Sequence, residues 1–251
     1  MDEHVRVERD RNVMTVTLNR PEAKNALTHA MYTAVADAIG TASREGVRCV
    51  VITGEGDAFT AGNDLGDFAN PMPEGKLPVV RFLETLRDTN IPVLAAVNGV
   101  AVGVGLTMLM HCDLAFASEN ASFSAPFARV GLVPEAGSSM LLPRALGVAW
   151  ANDILLAGRV LSAADALVAG LVSRVVPHDE LGDLARTVSQ QLATFAPNAM
   201  RESKRLIRSD RGQVAERMSS EAEVFFRQLA SSEFSESVLA MREQRQPMFD
   251  L

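Results

Sequence analysis

The chain has 251 residues, 47% hydrophobic and 22% charged. That length suits one large domain, or one domain with an appendage, and the apolar fraction excludes global disorder. With 24 Lys and Arg against 31 Asp and Glu, the net charge is −7 and the isoelectric point about 5.2. A general binder of nucleic acid or of an anionic membrane is not built this way, although a local basic patch for a small anion is compatible with it.

In chain order, MDEHVRVERDRN is charged from its second residue and is no secretory signal. Residues 4–9 and 13–18 alternate, are rich in β-branched side chains and flank Arg11-Asn12, which predicts an antiparallel hairpin. Residues 28–43 predict a helix with Thr28 as N-cap and Met31, Val35, Ala38 and Ile39 as its apolar stripe. The run from Cys49 to Ile52 reads as a strand covered on both faces, as do residues 93–97 and 113–117. Helical stretches near 64–69, 78–89 and 104–111 alternate with them, so the expected class is α/β. Residues 70–78 (NPMPEGKLP) read as a Pro-rich surface loop.

Residues 91–110 contain no charge and match a membrane helix in length. Pro92, Asn98, Gly99, Gly103 and Gly105 interrupt them, so a buried strand, a glycine turn and a helix start are expected instead. Beyond Pro134 the pattern turns helical, over 137–145, 148–157, 163–169, 179–195, 198–209, 212–229 and 233–245, with one short strand at 172–176. The division expected is a core of residues 1–195 and a helical region of residues 196–251. Cys49 and Cys112 lie in apolar stretches and form no metal spacing, which predicts buried reduced thiols. His4, His29, His111 and His178 share no spacing suited to a metal or a triad, and Trp150 and Tyr32 read as packing residues. The C-terminal PMFDL matches neither a retention nor a peroxisomal signal, so a soluble cytoplasmic protein is the expectation.

Two glycine-bearing loops each run from a buried strand into a helix start: GEGDAFTAGNDLGDF (54–68) and NGVAVGVGLT (98–107). Neither is a phosphate cradle. Each offers free N–H groups, and two such donors aimed at one carbonyl oxygen make an oxyanion hole. Tight turns alone account for the same composition.

Four blocks in order, NRPEAKNAL (19–27), AFTAGNDL (58–65), AAVNGVAVGVGLTMLMHCDLAFAS (95–118) and FSAPFARVGLVPEAGSSMLLPRALG (123–147), resemble the enoyl-CoA hydratase/isomerase (crotonase) family over roughly residues 5–225. Within it, GNDL, FSAPF and VPEAGSS are most similar to Δ3,Δ2-enoyl-CoA isomerases of the peroxisomal type. The resemblance implies a spiral of ββα units with a helical C-terminal trimerisation region, acting on an acyl-coenzyme A thioester. It implies no cofactor other than the coenzyme A of the substrate, and a homotrimer or hexamer. The family's oxyanion donors fall on the N–H groups of Asn63 and Val104. Ala61, Gly62, Asn63, Asp64 and Leu65 then line the thioester path, and Lys24 and Ala26 lie near the coenzyme's adenine and phosphates, where a Lys suits a phosphate. Near the C-terminus the family often has an aromatic and a Lys. Here Met241 and Gln244 stand nearest, with Arg242 and Arg245 as electrostatic substitutes.

The family's hydratases orient water with two glutamates, and the matching positions here are Thr107 and Phe127. Neither is an acid or base, and Phe127 makes its spot apolar. Glu135, after Pro134, stands where the isomerase subgroup has its base. One carboxylate suffices for a 1,3-proton shift: it takes a proton from C2 of a 3-enoyl thioester and returns it to C4. An apolar wall of Phe127, Val104 and Leu132 is expected to raise its pKa. As a plain structural residue, Glu135 would be an acid at a helix N-terminus, and Asp64 would be an N-cap. The expected function is therefore 3-enoyl-CoA to 2-trans-enoyl-CoA isomerisation. The alternatives are hydration, other enolate chemistry such as a ring-substrate isomerase, and non-catalytic acyl-CoA binding.

Overall fold

Two sheets and the helices between them organise the computed structural model, which describes residues 3–64, 66–67 and 77–249. The larger sheet joins β1 (Val5–Asp10), β2 (Val13–Leu18), β3 (Cys49–Gly54), β5 (Val93–Val97), β7 (Leu114–Ser118) and β10 (Arg174–Val176) in that order. β1 and β2 form the expected hairpin, with Arg11 at φ +53° in the turn, and every pair from β2 onward is parallel. The smaller sheet joins β4 (Ala58–Thr60), β6 (Val100–Val102), β8 (Ser122–Ser124) and β9 (Leu161–Ser162). Successive strands, β3 then β4, β5 then β6, β7 then β8, alternate between the two sheets. This is the ββα spiral expected from the resemblance.

Both faces of the large sheet are covered, which is why its strands read as continuous apolar runs. Val50, Ile52, Val93, Ala95 and Val97 face the main core. The alternate residues Cys49, Val51, Leu94, Ala96 and Phe116 face α7 (Leu181–Thr194) through Leu181 and Ala185. Cys49 therefore sits under α7, whereas Cys112 sits in the main core, and both are free thiols. The apolar segment at 91–110 becomes β5, β6, the short α3 (Val104–Thr107) and a 3-10 turn, Met108–His111. No described helix is long and apolar enough to cross a membrane.

α1 (His29–Ala42) is capped as its sequence predicts: Thr28 Oγ1 accepts from Met31 N at 3.2 Å. It packs on α2 (Pro78–Asp88), where the Tyr32 and Phe82 rings lie 5.4 Å apart. The helix expected near 64–69 and the loop at 70–78 fall mostly outside the described residues. After α4 (Ser138–Leu146), α5 (Val148–Leu155) and α6 (Ala163–Ala169), the chain ends in α8 (Pro197–Ile207), α9 (Arg211–Leu229) and α10 (Ser232–Arg242). These boundaries lie within a few residues of the expected ones.

α8 is tied to the ends of β5 and β7 by one buried cation. Lys204 Nζ donates to Asp113 Oδ2 and to Ile91 O, both at 2.7 Å, and Asp113 Oδ2 also accepts from Val93 N at 2.8 Å. Removing one member of a buried pair leaves the other uncompensated, a loss of roughly 3–5 kcal/mol. Asp113 is partly solvated and Arg208 stands 3.9 Å from it. Lys204→Met is therefore expected to cost somewhat less, about 2–3 kcal/mol, read as a lower urea midpoint at unchanged slope.

Candidate active site

The two glycine loops meet. Gly62 sits at φ +91°, and a Cβ there would lie 2.8 Å from Val102 O. A Cβ on Gly105 would lie 2.6 Å from Thr60 Cγ2. Two contacts this tight bring the strand ends of β4 and β6 together, and only glycine permits them. In the bridge between Leu27 and Asn63, Leu27 donates to Gly62 O at 2.7 Å and accepts from Asp64 N at 3.0 Å. That pattern leaves the peptide N–H of Asn63 outside the pairing. Gly103 N donates to Ser124 O at 2.8 Å, and Val104 is the first residue of α3, where an N–H has no helical acceptor. Among the described residues, neither the Asn63 nor the Val104 N–H makes a hydrogen bond.

A cavity of about 420 Å³ holds Asn63 and Glu135 in one lining. Its apolar surface comes from α2 (Val79, Leu83) and α9 (Met218, Phe225, Phe226, Leu229). Of the expected wall, Phe127 and Val104 are buried in the main core, Leu132 packs against it, and none of the three lines this cavity. The residues that replace them are remote in sequence from Glu135, so no local pattern announced them.

Glu135 keeps a partial opening to the cavity, but its carboxyl is withdrawn from bulk water. Burial pushes its pKa up from 4.5 to about 7, and the nearby carboxylate of Glu221 pushes the same way. A change of that size disfavours the ionised form by roughly 3 kcal/mol. Thr107 Oγ1 donates to Glu135 Oε1 at 2.5 Å and partly opposes the rise. Glu135 is not the acid that caps α4. Glu221 does this from α9, accepting from Gly137 N at 2.5 Å and Ser139 N at 2.9 Å.

The other expected site residues divide. Ala61 N donates to Lys24 O at 2.9 Å, and Arg20 donates to Ala26 O at 3.2 Å, so the 24–27 segment lies along the first loop. The Lys24 ammonium is exposed and paired with Asp57 at 2.5 Å. Asp64 pairs with Arg20, which holds its carboxyl below the usual range, and its Oδ1 accepts from Gly66 N at 2.7 Å. Both contacts anchor the first loop. Leu65 lies outside the described residues. Arg245 is engaged by Glu236 and Glu243, while Met241 is exposed. Tyr32, expected only to pack, donates its hydroxyl to Asn63 Oδ1. His111 is buried, with Nε2 2.7 Å from Ala136 O. Among the described residues no group of three His, Cys, Asp or Glu side chains is placed to hold a metal ion.

Two glycine loops that meet, two unengaged amides on them and a carboxyl raised to near neutrality are the elements that enolate chemistry on a carbonyl compound requires. Residues 8–250 match the family model described as enoyl-CoA hydratase/isomerase, and the chain belongs to that family. A solved enoyl-CoA hydratase/isomerase of Pseudoalteromonas atlantica T6c is 49% identical, with a TM-score of 0.97 over 99% of this chain and 100% of that one. A probable enoyl-CoA hydratase, echA8, of Mycobacterium bovis is 35% identical over 98% of both chains. Enoyl-CoA delta isomerase 2 of Rattus norvegicus is 38% identical over 79% of this chain, which spans 52% of that protein's length. Relatives named for hydration and for isomerisation thus stand side by side, and the fold is the one that they share.

Proposed function

We propose that the chain is a Δ3,Δ2-enoyl-CoA isomerase. The observation that carries the reading is Glu135, a carboxyl on an apolar cavity wall whose direct partner is the hydroxyl of Thr107. Hydration by the family's usual pair of glutamates needs acids at positions 107 and 127, and these are a threonine and a core phenylalanine.

In this mechanism the thioester oxygen accepts from the Asn63 and Val104 N–H groups. Ionised Glu135 takes a proton from C2, electron density moves onto the thioester oxygen as a dienolate, and the now neutral carboxyl returns the proton to C4. The base must start ionised yet become a competent acid, and a pKa near neutrality serves both steps. Fixed amides matter because losing one such donor costs roughly 3–4 kcal/mol of transition-state stabilisation. The substrate proposed is an acyl-CoA, and the assembly proposed is a homotrimer or hexamer, supported by exposed Val148, Leu156, Val160 and Val168.

Conversion of 3-hexenoyl-CoA to the conjugated thioester, followed by ultraviolet absorbance, tests the reading. A 3-hydroxyacyl-CoA product formed at a matching rate would point to hydration instead. Binding without exchange of the C2 proton in heavy water would leave only a scaffold. Because the free base must be ionised, kcat/KM is expected to be low in acid and to rise through a midpoint at about pH 7. A midpoint near 4.5, the ordinary value for a solvated glutamate, would remove Glu135 from the step.

A further inference from the structure

Glu135 is carried by a segment that no regular element holds. Ala136 and Gly137 follow it with φ of +60° and +74°. For alanine that region costs about 1–2 kcal/mol, so the corner persists only where neighbours enforce it. Two side chains from distant parts of the chain do so. From the turn after α3, His111 Nε2 lies 2.7 Å from Ala136 O. A carbonyl only accepts, so this nitrogen carries the proton, and burial keeps the ring neutral with its pKa down at about 4. From α9, Glu221 takes the N–H groups of Gly137 and Ser139 with its two oxygens. The single peptide that joins the two left-handed residues is thus held from both ends, its Ala136 carbonyl by His111 and its Gly137 amide by Glu221.

We propose that His111 and Glu221 are positioning residues for Glu135, clamping the Ala136–Gly137 corner from two sides so that the carboxyl stays on the cavity wall against Thr107. This rests on Glu135 being the base of the proposed reaction. Beyond holding the two N–H groups, the Glu221 carboxylate acts on Glu135 as a like charge. The other charged or titratable groups near Glu135 are Tyr32 on α1, Glu84 and Arg87 on α2, and His29 and Asp67 along the cavity. Arg217 on α9 acts on Glu221 as an opposite charge. Glu221 is the like charge that raises Glu135.

Glu221→Gln keeps an acceptor oxygen and removes the charge. His111→Gln keeps an N–H donor, and His111→Leu removes it. Titration of side-chain 13C-labelled glutamates, with Glu135→Gln to assign the signal, reads the base without any turnover. In Glu221→Gln the Glu135 midpoint is expected to move below about 7. The kcat on 3-hexenoyl-CoA is expected to fall on the order of tenfold or more, with KM changing less than about threefold. His111→Leu is expected to lose kcat likewise, with most of it recovered in His111→Gln. An unmoved Glu135 titration with unchanged kcat in Glu221→Gln overturns the clamp, as does an equal loss in the two His111 variants. If Glu221→Gln fails to fold, the His111 pair decides alone. If the wild type does not isomerise 3-hexenoyl-CoA, a Glu135 midpoint that moves in His111→Leu and returns in His111→Gln supports the clamp and defeats the isomerase reading.

Discussion

Glu135→Gln is expected to fold normally and to lose about 10²–10⁴-fold in kcat on 3-hexenoyl-CoA, toward the upper end because one group serves both transfers. The amide is nearly isosteric, and its carbonyl oxygen can still accept from Thr107 Oγ1, so the cavity wall keeps its shape. What disappears is the ability to take a proton from C2 and to deliver it to C4. In the proposed reaction one group performs both transfers, so no second acid covers half of the cycle. KM is expected to change little, since in the proposed mechanism the thioester is held by main-chain amides and by apolar surface from α2 and α9. Matched thermal melts and steady-state rates check the expectation. Retention of more than about a tenth of the wild-type kcat would show that the proton travels by another route.

The second large effect is expected at a residue with no functional group. Gly62→Ala places a methyl 2.8 Å from Val102 O in a backbone held at φ +91°. Either the first loop retreats or the second does, and in both cases the Asn63 and Val104 N–H groups shift relative to each other, which the proposed oxyanion hole does not tolerate. Loss of one well-aimed donor typically costs 10²–10³ in rate, so kcat/KM is expected to fall by about that much. Stability is expected to fall by only about 1–3 kcal/mol, the range for a single strained backbone position. Calorimetry beside kinetics separates the two. A rate loss no larger than the stability loss implies would mean that the loops do not jointly hold the thioester oxygen.

The larger sheet was legible because it is buried on both sides. Runs such as Cys49 to Ile52 and Val93 to Val97 have nowhere to go but an interior, and Thr28 announced the start of α1 by its own side chain. The smaller sheet was invisible to the same reading. Ala58–Thr60, Val100–Val102, Ser122–Ser124 and Leu161–Ser162 are too short for any periodicity to register, and their pairing is wholly non-local. It entered the expectation only through resemblance to a family. The site divides in the same way. Glu135 and the two loops could be picked out, because glycine and a carboxyl after proline leave marks in the text. The wall around Glu135 could not. It comes from Leu83, Met218 and Phe225, which look like ordinary stripe residues on their own helices. Nor did anything in the linear order connect Glu221 to Gly137, or His111 to Ala136.

The two thiols carry a practical consequence. Burial pushes both Cys49 and Cys112 up to about 12, with Asp113 adding to the rise. Neither forms appreciable thiolate under physiological conditions, so alkylating reagents and mild oxidants have no nucleophile to attack in the folded protein. A cysteine introduced at the cavity rim would then be the single reactive handle, and a fluorophore or spin label could report on ligand entry with the native sulfurs left in place.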